Sequence, residues 1–208
     1  MRINRRTLAA TGAAALATGA AVVGATHADA AAQKNVFAMH RSPGIVAAGC
    51  LPHAKARVVV QNQGPVEVMK IHASGLPKHT DFDLFVIQVP NAPFGIGWYQ
   101  GDLETNKKGE ADGTFVGRFS QETFAVAPGT APAPSVHDGP FPDATANPAF
   151  GPIHTFHLGL WFNSPRAAGK AGCPTAVTPF NGEHNAGVQA LNTAAFPDAK
   201  GPLGRLKP

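Results

Sequence analysis

The chain has 208 residues, 17 Lys and Arg against 13 Asp and Glu, a formal net charge of +4, 23 glycines and 19 prolines. No basic run of the kind that tracks a phosphate backbone occurs, which argues against a nucleic-acid partner. Beyond the N-terminal region no stretch reaches the ~20 consecutive apolar residues of a spanning helix, so no membrane span is expected in the mature form.

Arg2, Arg5 and Arg6 precede an uncharged run over 8–26, and Ala28-Asp29-Ala30 closes it with small residues where a signal peptidase reads. This pattern predicts a signal peptide over 1–30, a mature chain starting near Ala31 and a secreted, extracellular location. Asn4-Arg5-Arg6-Thr7-Leu8 resembles a twin-arginine export motif; the twin-arginine and general routes both stay open. The leader takes three of the 17 basic and one of the 13 acidic residues, leaving 31–208 near charge balance. That remainder is enough for one domain with a sizeable core.

Cys50 and Cys173 are the only cysteines. In an exported chain they are expected to form one disulfide. Ala47-Ala48-Gly49-Cys50 also resembles a lipoprotein processing box, but His40, Arg41 and Pro43 interrupt the apolar stretch such a box follows.

Short apolar runs punctuated by Gly and Pro then read as strands. Arg57-Val58-Val59-Val60-Gln61 is β-branched and ends at the turn signal Asn62-Gln63-Gly64-Pro65. Residues 66–73 alternate, with Glu67, Met69, Ile71 and Ala73 on one face. Residues 82–89 are apolar on both faces, which predicts a central strand. Residues 94–103 and 114–119 are strand candidates joined by a polar hairpin, and 121–126 extends the sheet. Residues 128–152 form a long Pro-rich excursion. Residues 154–163 resume strand pattern. Ser164-Pro165 suits an N-cap and first helical residue, so 166–171 is read as a short helix. Asn181-Gly182 is a tight-turn signal, 187–192 contains a last strand, and the tail from Asp198 is read as frayed. The expected fold is all-β: a single antiparallel β-sandwich with one short helix and long Pro/Gly-rich loops.

The segments His157-Leu158-Gly159-Leu160-Trp161-Phe162-Asn163-Ser164-Pro165, Gly172-Cys173-Pro174 and Thr178-Pro179-Phe180-Asn181-Gly182-Glu183-His184-Asn185-Ala186-Gly187, with Gly101-Asp102-Leu103-Glu104-Thr105-Asn106 and Gly117-Arg118-Phe119 upstream, resemble a group of uncharacterised secreted proteins of high-GC Gram-positive (actinobacterial) organisms. The resemblance spans most of the mature chain and implies location rather than chemistry. Gly75-Leu76-Pro77 followed by Phe82-Asp83-Leu84-Phe85-Val86 resembles the loop-to-strand passage of Ig/fibronectin-like sandwiches.

Three constellations carry chemistry. His154, His157, His184 and Glu183 are candidates for a ligand or metal pocket, with Trp98 or Trp161 as a wall. Against it, His154 and His157 are three apart and point to opposite faces of a regular strand; hydrogen-bonded structural histidines give the same pattern. Asp102-x-Glu104-x-Asn106 resembles the opening of a calcium loop, but Lys107 stands where the EF-hand needs Gly, and a solvated hairpin tip uses the same residues. Trp98, Tyr99 and Trp161 are candidates for an aromatic platform; side by side on a strand, Trp98 and Tyr99 face opposite ways, one into the core and one outward. No nucleophile elbow, His-Glu-x-x-His helix or phosphate-cradling loop occurs, so no catalytic residue and no cofactor is assigned. These readings favour a secreted or cell-surface binding or structural module with an extracellular ligand or protein partner. The alternatives are a metal-binding protein or metal-dependent enzyme using the histidines, and a glycan-binding module using the aromatic rings.

Overall fold

The computed structural model describes residues 34–95, 97–120, 155–178 and 185–206. The readings made for 1–30, the strand at 121–126, the Pro-rich 128–152 segment, His154, Glu183, His184 and the Asn181-Gly182 turn lie outside them. The described chain contains β1 (Lys34–Arg41), α1 (Pro43–Ala47), β2 (Lys55–Asn62), β3 (Glu67–Ser74), β4 (Asp81–Ile87), β5 (Gly97–Glu104), β6 (Ala111–Gly117), β7 (His157–Phe162), α2 (Pro165–Lys170) and β8 (Gln189–Asn192). The strands form one antiparallel eight-stranded sheet in the order β5-β4-β7-β8-β1-β2-β3-β6. β1 joins its two halves: residues 34–39 pair with β2, while His40 and Arg41 pair with β8. The end strands β5 and β6 approach each other, with Phe115 lying over Gly101 and Leu103 over Gly113, so the sheet nearly closes.

Alternation explains the core. Phe37 and Met39 of β1, Val58 and Val60 of β2, and Met69 and Ile71 of β3 point inward from one half. Phe82, Leu84 and Val86 of β4, Leu103 of β5, and Leu158 and Leu160 of β7 meet them from the other, forming one apolar cluster. β4 lies between β5 and β7 and is buried on both faces. Its two-sided apolar character follows from this position, since a strand covered on both sides has no solvent face to keep polar. Glu67 is fully buried at the start of β3, where its carboxylate accepts hydrogen bonds from the Ser120 amide (2.8 Å) and hydroxyl. These donors replace the water the charge gives up.

The expectation of one short helix is corrected: among the described residues there are two. Both are built alike. Ser42 precedes Pro43 and its Oγ accepts from the Ile45 amide; Ser164 precedes Pro165 and its Oγ accepts from the Ala167 amide. Each serine satisfies an otherwise orphaned helix N–H, and proline at N1 has no N–H to lose. Each helical turn is followed by an Ala-Gly-Cys triplet whose glycine is left-handed, Gly49 at φ 69° and Gly172 at φ 73°, a conformation a Cβ would strain. The lipoprotein-like Ala-Ala-Gly-Cys is therefore a helix end. The two cysteines so presented, Cys50 and Cys173, form the disulfide, with Cα atoms 5.5 Å apart across a sequence separation of 123.

The tail from Asp198 is not frayed at 201–206. Pro202–Arg205 forms a 3-10 turn, Leu203 and Leu206 are buried, and Asn35 Nδ2 donates to the Pro202 carbonyl at 2.6 Å. A segment with two buried leucines and a buried amide bond to β1 is held by the core, whatever its local composition. No described helix is long and apolar enough to cross a membrane.

Candidate functional site

The odd-numbered residues of β4 face away from the main core. Phe85 and Ile87 join Trp161 of β7 and Ala186 in a second buried cluster, with Phe94 packed against it. Trp161 is fully buried, and its ring lies over Gly159, whose ideal Cβ position is 2.2 Å from the indole. Only a residue without a side chain leaves room for the indole there. From this point the rings run in a row. Phe94 and Trp161 are 5.0 Å apart at 80°, Trp161 and Phe85 5.4 Å at 80°, and Phe85 and Tyr99 5.7 Å at 64°. These are edge-to-face contacts of the favourable kind.

Tyr99 ends the row and is 49% exposed. Its hydroxyl donates to Asp102 Oδ1 at 2.6 Å. Residues three apart on a regular strand would face opposite ways. β5 meets this by a bulge opposite Leu84 and Phe85: Gly101 pairs with Leu84 and Tyr99 with Phe85, leaving Gln100 as the extra residue. The shift brings Tyr99 and Asp102 to one face, and the register sets Asp102 opposite Asp83. Partial burial, the bond to Asp102 and the charges of Asp102 and Asp83 all push the phenol well above the ordinary tyrosine range, so it stays a neutral hydroxyl.

Of the three rings expected as a platform, then, Tyr99 faces solvent, Trp161 is interior, and Trp98 packs partly buried on the main core with Nε1 donating to Gln100 Oε1 at 3.1 Å. His157 is fully buried. One ring nitrogen, Nδ1, lies 2.9 Å from Thr193 Oγ1, and Nε2 lies 3.1 Å from the Asp198 carbonyl. A carbonyl only accepts, so Nε2 carries the proton and Nδ1 accepts from the Thr193 hydroxyl. Both nitrogens are thus committed to the protein. Its candidate companions His154, Glu183 and His184 lie outside the described residues. Among the described residues no group of three or more His, Cys, Asp or Glu is arranged to hold a metal ion. Asn106 Oδ1 accepts from the Lys108 and Glu110 amides at 2.7 and 3.2 Å, which makes the calcium-like segment a tight turn. The hairpin expected across it is corrected, since β5 pairs with β4 and β6 with β3 at opposite ends of the sheet.

Burial lowers the His157 pKa below the ordinary imidazole value, with the bond to Asp198 opposing it. The unfolded chain therefore takes up a proton at this position first, near pH 6.5. The stability His157 supplies is full above that value and is lost as pH falls from there toward the folded-state pKa, by up to about 1.4 kcal/mol per pH unit. Urea unfolding of wild type and His157→Gln between about pH 7.5 and about pH 5 checks this. The variant should be less stable throughout but show the shallower decline; equal slopes would refute the assignment.

No protein-family model matches the chain, and neither does any curated protein or solved structure.

Proposed function

We propose that the protein is a secreted binding module of β-sandwich type whose ligand is a glycan, docked on Tyr99. What carries the reading is the Tyr99 arrangement: a half-exposed ring, backed by the buried Phe85–Trp161 pair, with its hydroxyl held by Asp102. Such a ring is already in one orientation before binding, so little entropy is lost when a sugar stacks on it. Asp102 beside it is an acceptor for sugar hydroxyls, and a ring held neutral presents an apolar face with a polar tip. The leader-like 1–30 segment, the resemblance to secreted actinobacterial proteins and the disulfide support the extracellular setting. The two half-sheets sharing one core support the sandwich reading, in which β1 passes from one layer to the other.

Titration of the purified mature protein with cell-wall polysaccharide fragments, followed by tryptophan fluorescence, tests the proposal. Trp98 adjoins Tyr99 and reports on it. Tyr99→Ala should weaken binding about tenfold or more, a loss of about 1.4 kcal/mol. Tyr99→Phe should keep most of it, because the stacking face remains. A Tyr99→Ala protein that binds as well as wild type would remove the platform from consideration.

A further inference from the structure

A cleft of about 470 Å³ lies at the end of the sheet where β4 begins and β7 ends, between the 77–81 loop and α2. Lys78 and His79 line one wall, Arg166 and Lys170 the other, and Asp81 lies among them. All five are exposed. None of the three permanent cations enters an ion pair among the described residues, where the single pair is His72 with Asp112. Arg166 and Lys170 are four apart on one helix, where like charges repel, and Lys78 faces them from the loop. Three cations gathered around one concavity raise the potential there and draw anions to it.

Both walls are fixed. His79 is held at φ 49°, a left-handed conformation that costs free energy for any residue with a Cβ. The loop is kept in it by Thr105, which is buried. Its Oγ1 donates to the Pro77 carbonyl at 2.6 Å and accepts from the Thr80 amide at 2.9 Å, while its own amide donates to the Thr80 carbonyl. On the other side, the Ser164 cap fixes the start of α2, and the disulfide at Cys173 fixes the chain just after it. With the backbone fixed on both sides, binding has to order only the side chains of these donors.

We propose that this cleft binds a small hydroxylated anion, a sugar or polyol bearing a phosphate or carboxylate group. The cations take the anionic group by charge-assisted hydrogen bonds, with Arg166 offering its planar fork. The volume falls in the range of small-molecule sites, about 300–1,000 Å³, and exceeds what a bare oxyanion fills. Asp81 supplies an acceptor for hydroxyls and disfavours a ligand that is anionic throughout. This site stands independently of the Tyr99 reading.

The test is a two-dimensional amide NMR titration of the disulfide-bonded protein with glucose 6-phosphate, glucuronate, glucose and inorganic phosphate. Saturating shifts confined to the amides of 78–81 and 163–171 are expected with glucose 6-phosphate or glucuronate, whichever anionic group the cleft prefers, and not with glucose. Arg166→Ala/Lys170→Ala should weaken that binding tenfold or more, while Arg57→Ala on β2, which is not in the cleft lining, should leave it unchanged. Because the double variant relieves a like-charge pair, its thermal midpoint should equal or exceed that of wild type, which separates lost binding from lost folding. Inorganic phosphate binding as tightly as glucose 6-phosphate would overturn the hydroxylated ligand. No saturating shift with either sugar anion, or unchanged affinity in the double variant, would overturn the site.

Discussion

Replacing Cys50 and Cys173 by alanine is expected to lower the unfolding free energy by about 3–5 kcal/mol. The bridge spans a sequence separation of 123, and closing a loop of that size in the unfolded chain carries about 5 kcal/mol on the chain-entropy account. Residual structure in the unfolded state lowers the figure, so the top of the range is an upper bound. Both cysteines are only 7% exposed and pack with the core, so the alanines also lose some apolar contact. At roughly 2–4 °C per kcal/mol for a chain of this size, the melting point should fall by about 10 °C. The single variants Cys50→Ala and Cys173→Ala should each lose about as much as the double variant, because either one opens the same loop. Urea unfolding of the four proteins decides it. A double variant within about 1 kcal/mol of wild type would mean that the two serine-capped helices hold the chain ends together without the bond.

Those two helices also mark the limit of what could be read from the chain. Ser164-Pro165 was legible because a strand pattern stopped just before it. Ser42-Pro43 carries the same cap, but it follows a strand that is itself hard to see. β1 buries Asn35 and leaves Val36 43% exposed, which inverts the expected alternation. Asn35 tolerates burial only because its amide reaches the Pro202 carbonyl, a residue 167 positions away. The same contact explains the tail: Leu203 and Leu206 sit among Pro, Gly and charge, and only the fold supplies their neighbours. By contrast β3, with its Glu67-to-Ala73 face inward, and β4, apolar on both sides, follow directly from period-two patterning. At the candidate site period-two alternation separates Trp98 from Tyr99, as the structure does, but on a regular strand it would also set Tyr99 and Asp102 on opposite faces. The bulge in β5 reverses that, and Gly101, at φ 150°, was its one local sign. The three cations of the cleft, Lys78, Arg166 and Lys170, come from segments about 90 residues apart in the chain, so no local motif announces them.

Trp161→Ala is expected to cost about 3–5 kcal/mol, the range for a large aromatic removed from a core. The ring is fully buried and is the middle of the aromatic row, touching Phe94 on one side and Phe85 on the other. Its removal leaves a cavity over Gly159 that cannot collapse easily, because the glycine has no side chain to move in and the strand beneath is paired on both edges. Trp161→Phe keeps one ring against Phe85 and should retain a clear part of the lost stability. A double-mutant cycle between Trp161 and Phe85 should give a coupling of about 0.5–1.5 kcal/mol, the increment of an edge-to-face pair beyond burial. Tyr99→Ala, at the exposed end of the same row, should cost far less stability than Trp161→Ala. That contrast separates the two roles physically: the interior rings stabilise the fold and orient Tyr99, while Tyr99 itself meets the ligand. If Trp161→Ala lost under about 1 kcal/mol, or if Tyr99→Ala destabilised the protein as much, the row would be a single packing unit and Tyr99 would have no separate claim to a binding role.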